Sequence, residues 1–189
     1  MAILLSIEEL LQFNKDFVEA KQYRNYSATK RPRKSVAVLS CMDARLTETL
    51  PDALNFKNGD IAMIKIAGAV ISHPFGSVMR SLLIAVYELG VEDILVIGHH
   101  DCGMHGMDAS MLTKAMIARG VARERLDFID YCGVDINKWL KGFDNIEEVV
   151  LKTVSVIQGH PLMPSDVCVY GFIIDPVTGK LDTVSDTLV

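Results

Sequence analysis

The chain has 189 residues, half of them apolar and 23% charged, and its 19 basic and 24 acidic side chains leave a formal net charge of −5. That length suits one domain of ordinary size, the apolar fraction excludes a disordered polypeptide, and the mild acidity gives no broad attraction to nucleic acid or anionic lipid. No apolar run approaches the roughly 20 residues that span a bilayer. The opening Met1 to Leu5 run meets Glu8 and Glu9 too soon for a signal peptide, so the expectation is a cytoplasmic protein without membrane or nucleic-acid partners. Its four cysteines, Cys41, Cys102, Cys132 and Cys168, are widely spaced, and in a reducing compartment they point to metal or catalytic chemistry before disulfides.

In chain order, Ser6 followed by Glu9 has the form of a capping box, and Leu10, Leu11, Phe13 and Phe17 extend an apolar face, so a helix is predicted from about residue 7 to the low twenties. The basic stretch Lys30 to Lys34 is short and broken by Pro32, and it reads as a solvated lead-in to a strand. Three apolar runs follow, Val36 to Leu39, Ile61 to Ile66 and Ile94 to Ile97, without the polar alternation of a half-exposed sheet. They read as strands covered on both faces, as in a parallel sheet. A helix between the second and third is predicted with Ser72 as cap, Pro74 in its first turn and Gly90 past its end. Further helices are expected over 109–118, 122–131 and, capped by Asn145, to Gln158. The run Val167 to Ile174 and the turn Asp175 to Gly179 lead to a terminal hairpin with Leu181 to Val184. The expected architecture is a single α/β domain over 1–189, residues 1–30 forming a helical N-terminal arm. Cys132 and Cys168 are expected as small buried hydrophobes, and Trp139 with Phe143 as packing anchors on a short helix.

Two polar clusters carry the chemistry. Cys41-Met42-Asp43-Ala44-Arg45 follows the first strand and Gly98-His99-His100-Asp101-Cys102-Gly103 follows the third. In a doubly wound sheet whose order begins 2-1-3-4 those strands are neighbours, and the crevice beyond their carboxyl ends is where ligands bind. Cys41, His99 and Cys102 then offer two thiolates and an imidazole, a set that suits zinc and leaves one tetrahedral position for water or substrate. Asp43, paired with Arg45, stays ionised and can accept a hydrogen bond from a metal-bound water; the same carboxylate is also close enough in sequence to fill the fourth position itself and close the site.

Cys41-x-Asp43-x-Arg45, the Ala67-Gly68 turn, Arg80-Ser81-Leu82, Gly98-His99-x-x-Cys102-Gly103, Tyr170-Gly171 and Thr178-Gly179-Lys180-Leu181 together resemble the β-class carbonic anhydrases in order and spacing, from about Val36 to Val184. The resemblance implies a parallel four-stranded sheet of order 2-1-3-4 with an added antiparallel strand, and a homodimer or higher homo-oligomer whose N-terminal helix packs on the partner. It also implies one zinc per subunit on Cys41, His99 and Cys102, with Asp43 and Arg45 as catalytic dyad. The implied activity is reversible hydration of carbon dioxide to bicarbonate by zinc-bound hydroxide. Such a substrate needs apolar walls, for which Val70, Ile71 and Ile66 are candidates, and His100 or His105 could relay the proton. Where many members carry asparagine before the alanine-glycine turn, this chain has Ile66, expected to pack in the core. A related group hydrolyses carbonyl sulfide or carbon disulfide on the same platform, which keeps that activity as an alternative. A cysteine hydrolase using Cys41 or Cys102, and a non-catalytic zinc-binding protein, are the remaining readings.

Overall fold

The computed structural model describes residues 6–184. The first five residues and 185–189, the ends of the expected 1–189 domain, lie outside the described residues. Helix α1 (Ile7–Glu19) is followed by strand β1 (Val36–Cys41), helix α2 (Thr49–Ala53), strand β2 (Ile61–Ile66), helix α3 (Ser77–Tyr87) and strand β3 (Asp93–His99). Then come α4 (Ala109–Ala118), α5 (Arg123–Tyr131), α6 (Ile136–Leu140), α7 (Ile146–Gln158), β4 (Cys168–Ile174) and β5 (Leu181–Thr183). The sheet order is β2-β1-β3-β4-β5. β1 runs parallel to β2 and β3, β3 parallel to β4, and β5 antiparallel to β4, as expected. Among the described residues no helix is long and apolar enough to cross a membrane.

Period-two alternation sends the inner strands' side chains to two separate cores. Ala37, Leu39, Ile94 and Val96 join Met79 and Leu82 of α3 and Val154 and Ile157 of α7 on one face. Val38 and Ile97 join Leu46, Leu50, Phe143 and Ile174 on the other. Most of these side chains are fully buried, and deleting a buried leucine of this kind typically costs about 2–5 kcal/mol. The carboxyl ends of β1 and β3 are therefore rigid platforms. Gly98, one residue before the end of β3, lets α7 lie close, since a Cβ there would come within 2.8 Å of Ile146 and Val150.

Several boundaries differ from the sequence reading for local reasons. α1 stops at Glu19, short of the low twenties, because Lys21 adopts a left-handed conformation and opens a separate 3₁₀ turn over Gln22–Tyr26. α3 begins at Ser77 with Gly76 as cap, not at Ser72. The peptide N–H of Phe75 donates to His73 Nδ1 (3.0 Å) and that of Gly76 to the His73 carbonyl (3.0 Å), so Pro74 sits in a tight turn that precedes the helix. Cys132 and Cys168 are exposed, not core hydrophobes. Cys132 caps the end of α5, a helix with no buried residue, and Cys168 opens β4 on its outward side. Trp139 and Phe143 share no helix: α6 ends at Leu140, Trp139 is 63% exposed, and Phe143 is buried beside the clusters described below.

The basic lead-in is tied to the segment that enters β2. Asp60, just before β2, accepts the Lys57 N–H (2.8 Å) and the Arg33 guanidinium at Nε (2.9 Å) and Nη2 (2.7 Å), and these bonds hold its carboxyl below the usual carboxylate range. Because the folded pKa lies below the unfolded one, the stabilisation is fully present above about pH 4 and fades as pH falls through the folded value. Asp60→Asn is expected to melt at a lower temperature than the native chain at pH 7, and thermal melts of the two should converge as the pH is taken well below about 4.

Candidate metal centre

Cys41 is the last residue of β1 and His99 the last of β3, so the strand pairing that fixes Ser40 opposite Ile97 also brings these two side chains to one sheet end. The chain turns back from His99 within three residues to present Cys102. The Sγ atoms of Cys41 and Cys102 lie 3.9 Å apart, and the ligand atoms of Cys41, His99 and Cys102 all lie within 4.8 Å of one another. Two sulfurs on one tetrahedral zinc, each about 2.3 Å from it, would be separated by about 3.8 Å. The spacing fits such a pair and is far too long for a disulfide.

The histidine is also fixed in place. Its Nδ1 lies 2.8 Å from the His100 carbonyl, which fixes Nδ1 as the N–H and leaves the lone pair on Nε2. His99 is 1% exposed and among the described residues Nε2 has no hydrogen-bond partner, an orphaned buried acceptor of the kind a metal would satisfy. Burial pushes the Cys41 thiol up, but the His99 ring and the N–H groups of Asp43 and Gly68 outweigh it and bring the thiol down to about 7. At Cys102 burial, with the neighbouring Cys41 thiol, outweighs the help of the Met104 N–H and raises the thiol to about 11. Burial works against a charged His99 ring while Cys41 works for it, with a net upward shift. A dication is the species that lets both thiols ionise while the imidazole stays neutral. The two soft sulfurs, the lone imidazole nitrogen and their spacing fit zinc.

Asp43 caps the 3₁₀ turn Ala44–Leu46. Its Oδ1 accepts the Arg45 backbone N–H (2.9 Å) and Nε–H (3.0 Å), and its Oδ2 accepts Nη2–H (2.9 Å). The guanidinium holds the carboxyl well below the usual carboxylate range. Oδ2 is 3.9 Å from His99 Nε2, so the carboxylate borders the trio while both its oxygens stay engaged by Arg45. All five residues singled out in the sequence are thus brought to one place.

The walls differ from the reading in part. Val70 packs with the cluster that contains Cys41 and Cys102, whereas Ile66 and Ile71 pack into the Leu39–Met79 core on the other face. Ile66 is half-buried against that core, as expected, and Ile71 packs on the same core and not with Cys41 and Cys102. A cavity of about 360 Å³ lies beside Cys102, between the His99–Asp101 segment, His105, Phe143 and the start of α7. His100 and His105 both line it, and His105 Nε2 is 3.0 Å from the Asp144 carbonyl.

Other contacts went unread in the sequence. Gly68 donates its N–H to Cys41 Sγ (3.4 Å) at φ 65, and a Cβ there would meet Phe143 and Met104 at 3.0–3.3 Å. Phe143 is clasped in turn to the loop after Cys102, its N–H bonding the Met104 carbonyl (3.1 Å). Lys65 Nζ is 3.4 Å from the Asp43 carbonyl and from Thr47 Oγ1. Arg45 also reaches Asp101. Only the turn signal of Ala67-Gly68 and the position of Asp101 inside the second cluster could have suggested any of these.

The carbonic anhydrase family model matches residues 36–181, which hold strands β1 to β4 and all three residues of the cluster. The solved β-carbonic anhydrase isoform I of Trichomonas vaginalis superposes with a TM-score of 0.86 at 30% identity, covering 96% of this chain and 98% of that one. The chain belongs to the β-carbonic anhydrase family. Within the family it is 50% identical to the Bacillus subtilis protein YtiB, provisionally named a carbonic anhydrase, over 94% of this chain and 95% of that protein. It is 28% identical to a carbon disulfide hydrolase of Acidithiobacillus thiooxidans over 76% of this chain and 74% of that enzyme.

Proposed function

We propose that this β-carbonic anhydrase family member interconverts carbon dioxide and bicarbonate with one zinc per subunit held by Cys41, His99 and Cys102. The observation that carries the reading is the 3.9 Å thiol pair facing the unpartnered Nε2 of a buried histidine. When bound, zinc supplies a Lewis acid that brings the pKa of a water toward about 7. Asp43 accepts a hydrogen bond from that water and orients it, and Arg45 fixes the carboxylate and keeps it ionised. The water adds through its oxygen to the carbon of carbon dioxide, giving bicarbonate, and the released proton passes to solvent. Val70 supplies apolar wall for an uncharged substrate that offers little to hydrogen-bond. Asp43 stays on Arg45 and outside the metal's ligands in this account.

The chain is further proposed to work in the cytoplasm as one domain with a helical N-terminal arm and to assemble as a homodimer or larger homo-oligomer. α1 buries none of its residues, yet Leu10, Leu11 and Phe13 lie exposed on it, an apolar face suited to a second copy.

Because relatives named as carbon disulfide hydrolases are 28% and 25% identical to this chain over the aligned residues, the substrate is tested by direct comparison. Stopped-flow mixing is expected to show carbon dioxide hydration far above the buffer rate, with no sulfide release from carbon disulfide or carbonyl sulfide. Sulfide release with hydration at the buffer rate would overturn the assignment.

A further inference from the structure

The segment that carries His99 and Cys102 also touches the Asp43–Arg45 pair, through a residue to which the proposed reaction gives no task. Asp101 is in the left-handed region at φ 52, a conformation that aspartate tolerates better than most side chains. In that conformation both its polar groups face Arg45: the carbonyl accepts Nη2–H (2.9 Å) and Oδ2 accepts Nη1–H (2.8 Å). The other edge of the same guanidinium, Nε and Nη2, holds the two oxygens of Asp43. A guanidinium is a rigid plane, so fixing one edge sets the direction of the other. The Asp101 side chain is 86% exposed, and an ion pair so solvated adds little to stability. What it can supply is orientation.

We propose that Asp101 is a positioning residue that pins the outer edge of Arg45 and thereby keeps Asp43 turned toward Arg45 and away from the metal. The proposal rests on the zinc reading above. Without the pin, Arg45 is free to swing, and Asp43, already 3.9 Å from His99 Nε2, becomes a competitor for the position that water must occupy. Asp101 thus ties the segment that supplies two of the proposed ligands to the pair that handles the water.

Asp101→Gly keeps the left-handed backbone and its carbonyl but removes the carboxylate, and Asp101→Asn restores an acceptor oxygen. The full-length chain is loaded with cobalt(II), and its visible absorption is titrated with thiocyanate, which binds only if a coordination position is open. In parallel, kcat and KM for carbon dioxide hydration are measured on the zinc form. Asp101→Gly is expected to bind thiocyanate about tenfold more weakly and to lose about tenfold in kcat with KM little changed, the size typical of a lost outer partner of a metal site. Asp101→Asn should recover most of both. In an Asp43→Ala background the Asp101→Gly change should have no effect on thiocyanate affinity, because the competitor is gone. Native thiocyanate affinity in Asp101→Gly, or an equal loss with and without Asp43, overturns the inference and leaves the zinc reading standing. Failure of the native chain to show cobalt–thiolate absorption removes both.

Discussion

Asp43→Ala is expected to lower kcat/KM for carbon dioxide hydration by about 10² to 10⁴-fold, the range associated with loss of a positioned proton acceptor, while zinc content stays at one per chain. The separation follows from the geometry. Asp43 lies outside the trio and gives both its oxygens to Arg45, so removing it leaves Cys41, His99 and Cys102 in place. The loss should fall mainly in kcat, because an uncharged substrate gains little binding from a carboxylate and the acceptor acts on the water. Without Asp43, Arg45 keeps its bonds to Asp101, so the loop geometry after β1 should survive. Metal analysis beside stopped-flow hydration checks both halves of the expectation. Full activity in Asp43→Ala would remove the dyad from the mechanism.

Cys102→Ser has the opposite signature. A serine hydroxyl stays protonated at neutral pH and is a poor ligand where a thiolate is a good one. Loss of an outer partner of a metal site costs about 10- to 100-fold, and loss of a direct ligand is expected to cost at least about 10²-fold in zinc affinity. Hydration should fall to the buffer rate at ordinary zinc concentrations. The native chain should also melt at a higher temperature with zinc than without, whereas Cys102→Ser should show little of that gain, because binding free energy adds to folding free energy only where the site binds. Competition against a colorimetric chelator measures the affinity, and thermal melts measure the stability. Equal zinc affinity in Cys102→Ser would place the metal elsewhere.

Much of the fold was legible because strands buried on both faces have a plain sequence signature. Ile61–Ile66 was bounded correctly from its apolar run alone, and Asn145 was found as the cap of α7 because its side chain must accept the first free N–H groups, here those of Glu147 and Glu148. The trio was legible because its members end adjacent strands, so topology converts distance along the chain into proximity. What stayed hidden depends on contacts between elements far apart in sequence. No local pattern marks Phe143 as the side chain that packs on Gly68, or Lys65 as a neighbour of the Asp43 loop. Ser72 looked like a helix cap because serine before proline is a good start signal, but the His73 side chain captured the next free N–H and delayed the helix. Cys132 and Cys168 were misplaced because cysteine is apolar enough to be assigned to a core by composition, and only tertiary packing reveals that α5 has no buried residue and that β4 opens exposed at Cys168.

The central claim is that a metal on Cys41, His99 and Cys102 drives hydration of carbon dioxide. The most direct test is to measure zinc content and stopped-flow hydration on one preparation of the native chain, before chelation, after chelation and after zinc is returned. The account predicts about one zinc per chain, activity that disappears with the metal and activity that returns with it. Hydration that persists in the metal-free chain, or a fully loaded chain that hydrates carbon dioxide no faster than buffer, would contradict it.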